Sequence, residues 1–238
     1  MPQIYVVKNI ILPTLLTFIT GYCFAQQMVE RKNKLTGSVT EQFQSVIETD
    51  KQVKQGMYHA FFVKKTVIAS GAYKNDKRIG TWHFFDPTGK IMQNYEYDSN
   101  QILFESHEDE KTRFKYNIDY IINKDDVTTK PVRLGGRYFG YIPYLRLFKL
   151  PDDLVNINPE QCTVILELLI SPMGRLADYT IRIKNSYTDE DIRVLNINTD
   201  LLPDEDKIFI PATLNKNPVS SQIKVACYMN RYGDIDIY

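Results

Sequence analysis

The sequence predicts an α+β, β-rich protein, in which an N-terminal antiparallel sheet of repeated hairpins precedes a small ββαβ antiparallel sheet domain. Three observations support this. The 238 residues include 16 Tyr and 12 Phe, which favour strands. A unit of about 24 residues occurs twice before residue 100. The stretch Cys162–Ile183 alternates apolar and polar residues on both sides of a turn. We divide the chain into a signal peptide (1–25), a repeat domain (26–105), a linker with one strand (106–130) and a second domain (131–238).

The first residues have the three regions of a secretory signal peptide. Lys8 supplies a positive charge, an apolar run follows, and Ala25 is a small residue suited to cleavage before Gln26. The alternative is an uncleaved membrane anchor. Pro13 and Gly21 interrupt the run, however, and it is shorter than the roughly 20 apolar residues that span a membrane. Cleavage predicts a periplasmic or outer-envelope protein, whereas a retained anchor would place the chain in the inner membrane.

The repeat consists of a glycine, an aromatic strand, a turn and a second strand. Gly56–Tyr73 aligns with Gly80–Tyr97, so that Tyr58 falls on Trp82 and both segments end in tyrosine. The pattern resembles MORN-like repeats, in which Gly-x-(Tyr/Trp) opens each hairpin. This resemblance implies a sheet of stacked hairpins that serves as a scaffold, since a single hairpin is only marginally stable.

All three histidines of the chain, His59, His83 and His107, recur at about the same spacing. Equivalent positions in successive hairpins are two strands apart, or roughly 10 Å. A shared metal ion would need ligands at about 2 Å, so duplication of the repeat explains the spacing better. We predict neither a metal site nor a cofactor. The equal numbers of basic and acidic residues, 29 of each, also argue against a nucleic-acid partner.

The second domain is predicted from a hairpin, a short helix and a last strand. The hairpin is Cys162–Ile183, with Pro172-Met173-Gly174 at its turn. Thr188-Asp189-Glu190-Asp191 has the pattern of a helix start, so a helix over Asp189–Leu195 is expected. The last strand is Gln222–Met229, where apolar residues alternate again.

The direction of the chain predicts the order of these strands. The hairpin reverses the chain once and the helix returns it, so an antiparallel sheet needs the order second, first, last. The last strand would then lie on an edge, where unpaired peptide groups can accept a strand from a partner protein. The alternative is that Arg231–Tyr238 or Phe114–Ile122 covers this edge. The predicted partner-binding residues are Gln222, Ile223, Lys224, Val225, Ala226, Cys227 and Tyr228.

The second domain resembles the C-terminal domain of TonB-type proteins. The matching features are the following, in chain order: Pro131 with Gly135-Gly136, Leu150-Pro151, the hairpin with its Pro-Met-Gly turn, the Asp189–Leu195 segment, Phe209-Ile210-Pro211-Ala212 and Asn217-Pro218-Val219. Phe209 and Ala212 stand where the family has Trp and Gly. The resemblance implies a periplasmic domain whose last strand pairs with an extended segment of an outer-membrane receptor.

No catalytic residues are predicted, because the second domain has no histidine to activate a serine or cysteine. The sequence therefore predicts a non-catalytic envelope protein that binds a receptor segment or a cell-wall component by edge-strand pairing. The alternative is a TonB-type energy-transducing subunit that retains its membrane anchor. For Cys162 and Cys227 two interpretations stay open, namely core residues or a disulfide, which export would permit.

Overall fold

Antiparallel strands dominate the part of the chain that the computed structural model describes, which is residues 28–48, 50–109 and 112–238. The prediction of a β-rich fold is confirmed. The only α-helix in these ranges is α1 (Ile142–Leu145), and short 3-10 turns supply the other helical residues. None of the helices described is long and apolar enough to cross a membrane. The predicted signal peptide, 1–25, lies outside the described residues.

A seven-stranded antiparallel sheet forms the first half of the structure. Its strands are paired in chain order: β1 (Val29–Lys34), β2 (Val39–Glu48), β3 (Lys51–Phe62), β4 (Thr66–Lys74), β5 (Lys77–Phe85), β6 (Ile91–Glu96) and β7 (Gln101–Glu105). Each copy of the predicted repeat forms one hairpin of this sheet. The first copy is β3–β4 and the second is β5–β6. Gly56 and Gly80 both have positive φ, and the equivalent aromatics Tyr58 and Trp82 are both buried.

A six-stranded sheet forms the second half. It is built from β8 (Phe114–Ile118), β11 (Cys162–Ile170), β12 (Leu176–Asn185), β13 (Asp191–Asn196), β17 (Ser221–Met229) and β18 (Ile235–Asp236). Short pairs complete the fold: β9 (Thr128–Thr129), β10 (Val132–Arg133), β14 (Phe209–Ile210), β15 (Ala212–Leu214) and β16 (Asn217–Val219). The predicted order of the hairpin and last strand is confirmed, since β12, β11 and β17 are neighbours in that order.

The helix predicted over Asp189–Leu195 is wrong, because most of this segment is strand β13, paired with β12. The Asn185 side chain accepts hydrogen bonds from the amides of Tyr187 and Thr188, and Asp189 has a φ of 58°. A left-handed residue at this point reverses the chain instead of starting a helix. Asn, Asp and Thr cap helices and form turns by the same local hydrogen bonds, which explains the error.

The two sheets share a continuous apolar core. The Phe139 ring contacts Tyr58 and Phe84 of the first sheet, with centroids 6.1 and 5.7 Å apart. The fully buried Gln93 adds a polar link, because its Oε1 accepts hydrogen bonds from the amides of Gly135 and Gly136 at 2.8 and 3.2 Å. The aromatic face of the repeat sheet is therefore covered by the segment that leads into the second sheet.

Cys162 and Cys227 are both free thiols, and burial raises the pKa of each. Cys227 lies opposite Val164 in the register of β11 and β17, so Cys162 is its diagonal neighbour. Diagonal positions across a strand pair are about 7–8 Å apart, which exceeds the usual Cα separation of a disulfide. Of the two interpretations of these cysteines, the structure favours core residues.

Trp82, the only tryptophan of the chain, is wholly buried and packs over Gly71 of the neighbouring strand. A methyl group at Gly71 would overlap the indole ring, so we expect Gly71→Ala to lower the free energy of unfolding by about 1–3 kcal/mol. Urea titration followed by Trp82 fluorescence measures the change. Gly37→Ala is the control, because its added methyl group meets only ordinary contacts. Equal stability of the two variants would contradict this packing.

Candidate functional site

The predicted binding strand, β17, is not an edge strand, and that part of the prediction is wrong. On one side, β17 pairs with β11 over Ser221–Cys227. On the other side, β8 covers Ser221–Val225 and β18 covers Tyr228 and Met229. The amide of Ala226, between those two segments, donates to the carbonyl of Arg113 at 3.0 Å. Both segments named in the alternative interpretation therefore contribute to covering this strand.

The predicted site residues alternate between the two faces of the sheet. The core-facing residues are Ile223, Val225 and Cys227, and the residues on the opposite face are Gln222, Lys224, Ala226 and Tyr228. The guanidinium of Arg113 lies 3.5 Å from the centre of the exposed Tyr228 ring. The main-chain N–H and C=O groups of this strand are already hydrogen-bonded within the chain. β17 therefore offers no free edge for strand addition.

A network of charged side chains crosses the solvent-facing side of the second sheet. The Glu167 carboxylate pairs with Lys224 at 2.9 Å and with Arg182 at 2.8 Å. Arg182 also pairs with Asp191 at the start of β13, at 2.6 Å. Burial by itself would raise the pKa of Glu167, but the hydrogen bonds from Arg182 and Lys224 outweigh it and hold that pKa below its usual value. The network thus connects four neighbouring strands, β17, β11, β12 and β13.

The outer edge of β13 is open in the described part of the chain. The amide of Ile197 donates to the carbonyl of Tyr179 at 2.9 Å, and this fixes which residues bond inward to β12. Because bonded and non-bonded pairs alternate in antiparallel strands, the peptide groups of Val194 and Asn196 point away from β12. Val194 and its neighbour Ile192 also expose about two-fifths of their surface, 41% and 38%.

Three other sheet edges among the described residues, those of β1, β8 and β7, are protected. β1 (Val29–Lys34) exposes Glu30, Arg31, Lys32 and Lys34, and β8 exposes Lys115; charged side chains of this kind discourage strand addition. In β7, Leu103 is an extra residue between two paired positions, so a bulge interrupts the middle of that strand. β13 has its bulge near the start and pairs regularly over Arg193–Asn196. It is therefore the best candidate for strand addition.

Two of the three histidines lie on the solvent face of the repeat sheet, in one row across the strands. Ser70 lies between His59 and His83 in the register, and His83 Nδ1 is 2.8 Å from Asn94 Oδ1. His107 follows β7 outside this row. Across the described residues, no three His, Cys, Asp or Glu side chains are grouped closely enough to hold a metal ion.

Sequence reasoning missed β13 as a strand and therefore missed its edge. One signal was available, because Ile192 and Val194 are β-branched and occupy alternate positions. The helix-start pattern before it outweighed that signal.

Comparison of the chain with protein-family models, with curated proteins and with solved structures finds no significant match. The fold therefore defines a broad class only: a β-rich protein of antiparallel sheets, with a seven-stranded hairpin sheet at its N-terminal side.

The lowered pKa of Glu167 predicts how the free energy of unfolding depends on pH. A carboxyl with a lowered folded-state pKa stabilises the protein above its unfolded pKa, about 4.5, and loses this effect as pH falls through the folded value. We expect wild type to be more stable than Glu167→Gln near pH 7, and the difference to shrink progressively below pH of about 4.5. Denaturant unfolding at a series of pH values measures it. Glu190→Gln, on the exposed turn, is the control for removal of a surface carboxylate; a difference for Glu167→Gln that stays constant with pH would refute the pairing.

Proposed function

We propose that this chain is a non-catalytic, exported protein of the cell envelope that binds a partner protein by strand pairing at the edge of its second sheet. The observation that carries the proposal is the open edge of β13. In strand addition, main-chain hydrogen bonds provide affinity, and alternate side chains provide specificity. Val194 and Asn196 offer the main-chain groups, while Ile192 and Val194 offer apolar surface.

The occupant that fits this edge is an extended segment of another protein with apolar residues at alternate positions. An added strand would lie beside β13 in the sheet. Its solvent-facing side chains would be next to Ile192 and Val194, and the charged network begins one strand further in, at Arg182. Apolar side chains of the segment would pack on Ile192 and Val194, and an uncharged polar side chain would lie next to Asp191, which is paired with Arg182. An outer-membrane receptor segment is one source of such a strand, and a cell-wall-associated protein is another.

The family resemblances belong to this proposal. The order of β12, β11 and β17 is compatible with a TonB-like C-terminal domain, but β13 in place of the helix is a departure from ββαβ. The departure moves the binding edge from the last strand to the opposite end of the sheet. The MORN-like hairpins would act as a scaffold, because their aromatic face packs against the second half of the chain through Phe139.

Proline at position 194 tests the binding edge. The amide of Val194 points outward and has no partner strand, so Val194→Pro should cost the isolated fold less than about 1 kcal/mol while removing a donor that an added strand needs. We expect at least a tenfold loss of partner binding in Val194→Pro and a clearly smaller loss in Val194→Ala, which keeps the donor and removes only part of the apolar surface. A photo-crosslinking residue at Ile192 in the native envelope identifies and quantifies the bound protein.

The same experiment has two outcomes that oppose the proposal. A crosslinked partner that binds Val194→Pro as strongly as Val194→Ala would show that the contact is not strand addition. A crosslink only to a second copy of the chain, with a dimer that Val194→Pro dissociates, would make β13 a self-association edge instead.

Export is tested at the N-terminus. If residues 1–25 act as a cleaved signal peptide, the envelope fraction should contain a protein that begins at Gln26. Mass spectrometry of the intact protein, purified from that fraction, measures this directly. An intact Met1 in the inner membrane would contradict cleavage and favour the energy-transducing alternative.

A further inference from the structure

A cavity of about 210 Å³ lies where the rim of the repeat sheet meets the second half of the chain. Four cationic side chains and three acidic ones line it, together with the aromatic rings of Tyr58, Tyr73 and Phe139. The cations are Lys54, Arg78, Arg133 and Arg146, and the acids are Glu41, Glu205 and Asp206. This cavity is separate from the β13 edge.

Two of these cations occupy equivalent positions in the two hairpin repeats. Lys54 precedes Gly56 by two residues, and Arg78 precedes Gly80 by two. Each also lies over the aromatic residue of its own repeat, with Lys54 Nζ 5.3 Å from the Tyr58 centroid and the Arg78 guanidinium carbon 5.1 Å from the Trp82 ring. The repeat therefore places a cation over an aromatic ring in each of two neighbouring hairpins.

The two positions differ in how their charge is balanced. Lys54 pairs with the Glu41 carboxylate at 3.3 Å, and the buried Arg133 likewise pairs with Asp206 at 2.6 Å. Arg78, in contrast, has no carboxylate within ion-pair distance in the described part of the chain. Its Nε and Nη1 donate to the hydroxyls of Tyr73 and Tyr97, at 3.3 and 2.9 Å. Both of these acceptors are phenol hydroxyls and not carboxylates.

The sequence holds Arg78 in this place by a tight turn. Asn75 and Asp76 have φ values of 51° and 62°, as the two central residues of a type I′ hairpin turn require. The turn sets Tyr73 directly opposite Arg78 in the register of β4 and β5. The guanidinium is thus fixed between two tyrosine hydroxyls, with the Nη2 end left without a protein acceptor among the described residues.

A half-buried guanidinium between aromatic rings is poorly hydrated, and an anion that reaches it gains charge-assisted hydrogen bonds. Within the cavity, the two ion pairs cancel and leave Arg78 and Arg146 against Glu205, an excess of one positive charge. Burial raises the pKa of Tyr73, so its hydroxyl, which accepts from Arg78 Nε, keeps its own proton at neutral pH. Phenolic hydroxyls of this kind can donate to an anion beside the arginine.

We propose that this cavity binds the carboxylate or phosphate group of a small molecule, held by the Arg78 guanidinium with Arg146 at the entrance. The Nη2 group of Arg78, which has no protein acceptor among the described residues, can donate a charge-assisted hydrogen bond to an oxygen of either group. The exposed Glu205 lies at the rim, where its main-chain oxygen is fixed by Arg133 Nη1 at 3.2 Å, and its negative charge opposes the incoming anion.

Titration of the full chain with inorganic phosphate and with acetate tests the site, with sodium chloride at equal ionic strength as the reference. We expect one or both probes to raise the Tm by about 3 °C at concentrations well above the dissociation constant. A response to phosphate alone, or to acetate alone, assigns the natural ligand to that chemical source. No response to either probe beyond that of chloride, up to about 100 mM, overturns the proposal.

Three variants assign the effect to these residues. Arg78→Gln should weaken binding of the responding probe about tenfold or more, because it removes the positive charge and the Nη2 donor. Arg78→Lys keeps a cation over the Trp82 ring and should weaken binding about fivefold. Glu205→Gln should instead strengthen binding about threefold, because it removes a like charge at the rim. If Arg78 only stabilised the fold and bound no anion, Glu205→Gln would not strengthen binding of the probe.

Arg113→Gln is the matched control, because Arg113 also lies over a tyrosine ring without an ion pair in the described residues but lies outside this cavity. It should leave binding unchanged. If Arg78→Gln fails to fold, Arg78→Lys and Glu205→Gln still decide the question. Unchanged affinity in both, or an equal loss in Arg113→Gln, would overturn the assignment.

Discussion

The structure depends on covering one aromatic face. The repeat sheet places Tyr58, Trp82 and Phe84 on the same side, and a single sheet cannot bury that side by itself. The cover comes from the segment around Phe139, which is held against the sheet by the amide of Gln93. Gln93 is wholly buried, and replacement by an apolar residue would leave the amides of Gly135 and Gly136 unpaired. Gln93 therefore helps to fix the register between the two halves, together with Arg137, which bonds Glu105 and Ser106.

The same arrangement explains the second sheet. Tyr144 is buried under it and packs edge-on against Tyr179, with centroids 5.6 Å apart, and the Tyr179 hydroxyl donates to the Tyr144 carbonyl at 2.9 Å. The segment from Phe139 to Tyr144 thus touches the repeat sheet at one end and the second sheet at the other. Because both apolar faces turn toward this segment, what is left at the surface is the solvent-facing side and the edges of each sheet.

Much of the fold could be predicted from local sequence patterns. Which segments cover the edges of the strands could not. The hairpin repeat follows from Gly56, Gly80 and the aromatics after them, and the order β12–β11–β17 follows from chain direction. Alternation in β17 correctly predicts which residues face the core, but it holds equally for edge and central strands. Whether β17 is an edge depends on β8, which comes from a polar segment more than a hundred residues earlier. The local spacing of apolar and polar residues predicts neither that pairing nor the open edge of β13.

The repeat also shows how a site can arise without a motif. Duplication copied the cation and its aromatic ring together, since both are needed to pack the same hairpin, and this explains why Lys54 and Arg78 occupy equivalent places. The acid that neutralises the first cation, Glu41, lies on β2 opposite Ala60, whereas the equivalent place on β4, opposite Phe84, holds the uncharged Ala69. A second repeat built beside the first therefore gains a cation without gaining its partner. Arg78 is left without an ion pair among the described residues because β4 lacks the acid that β2 supplies to Lys54, and the cavity beside Arg78 makes its charge accessible.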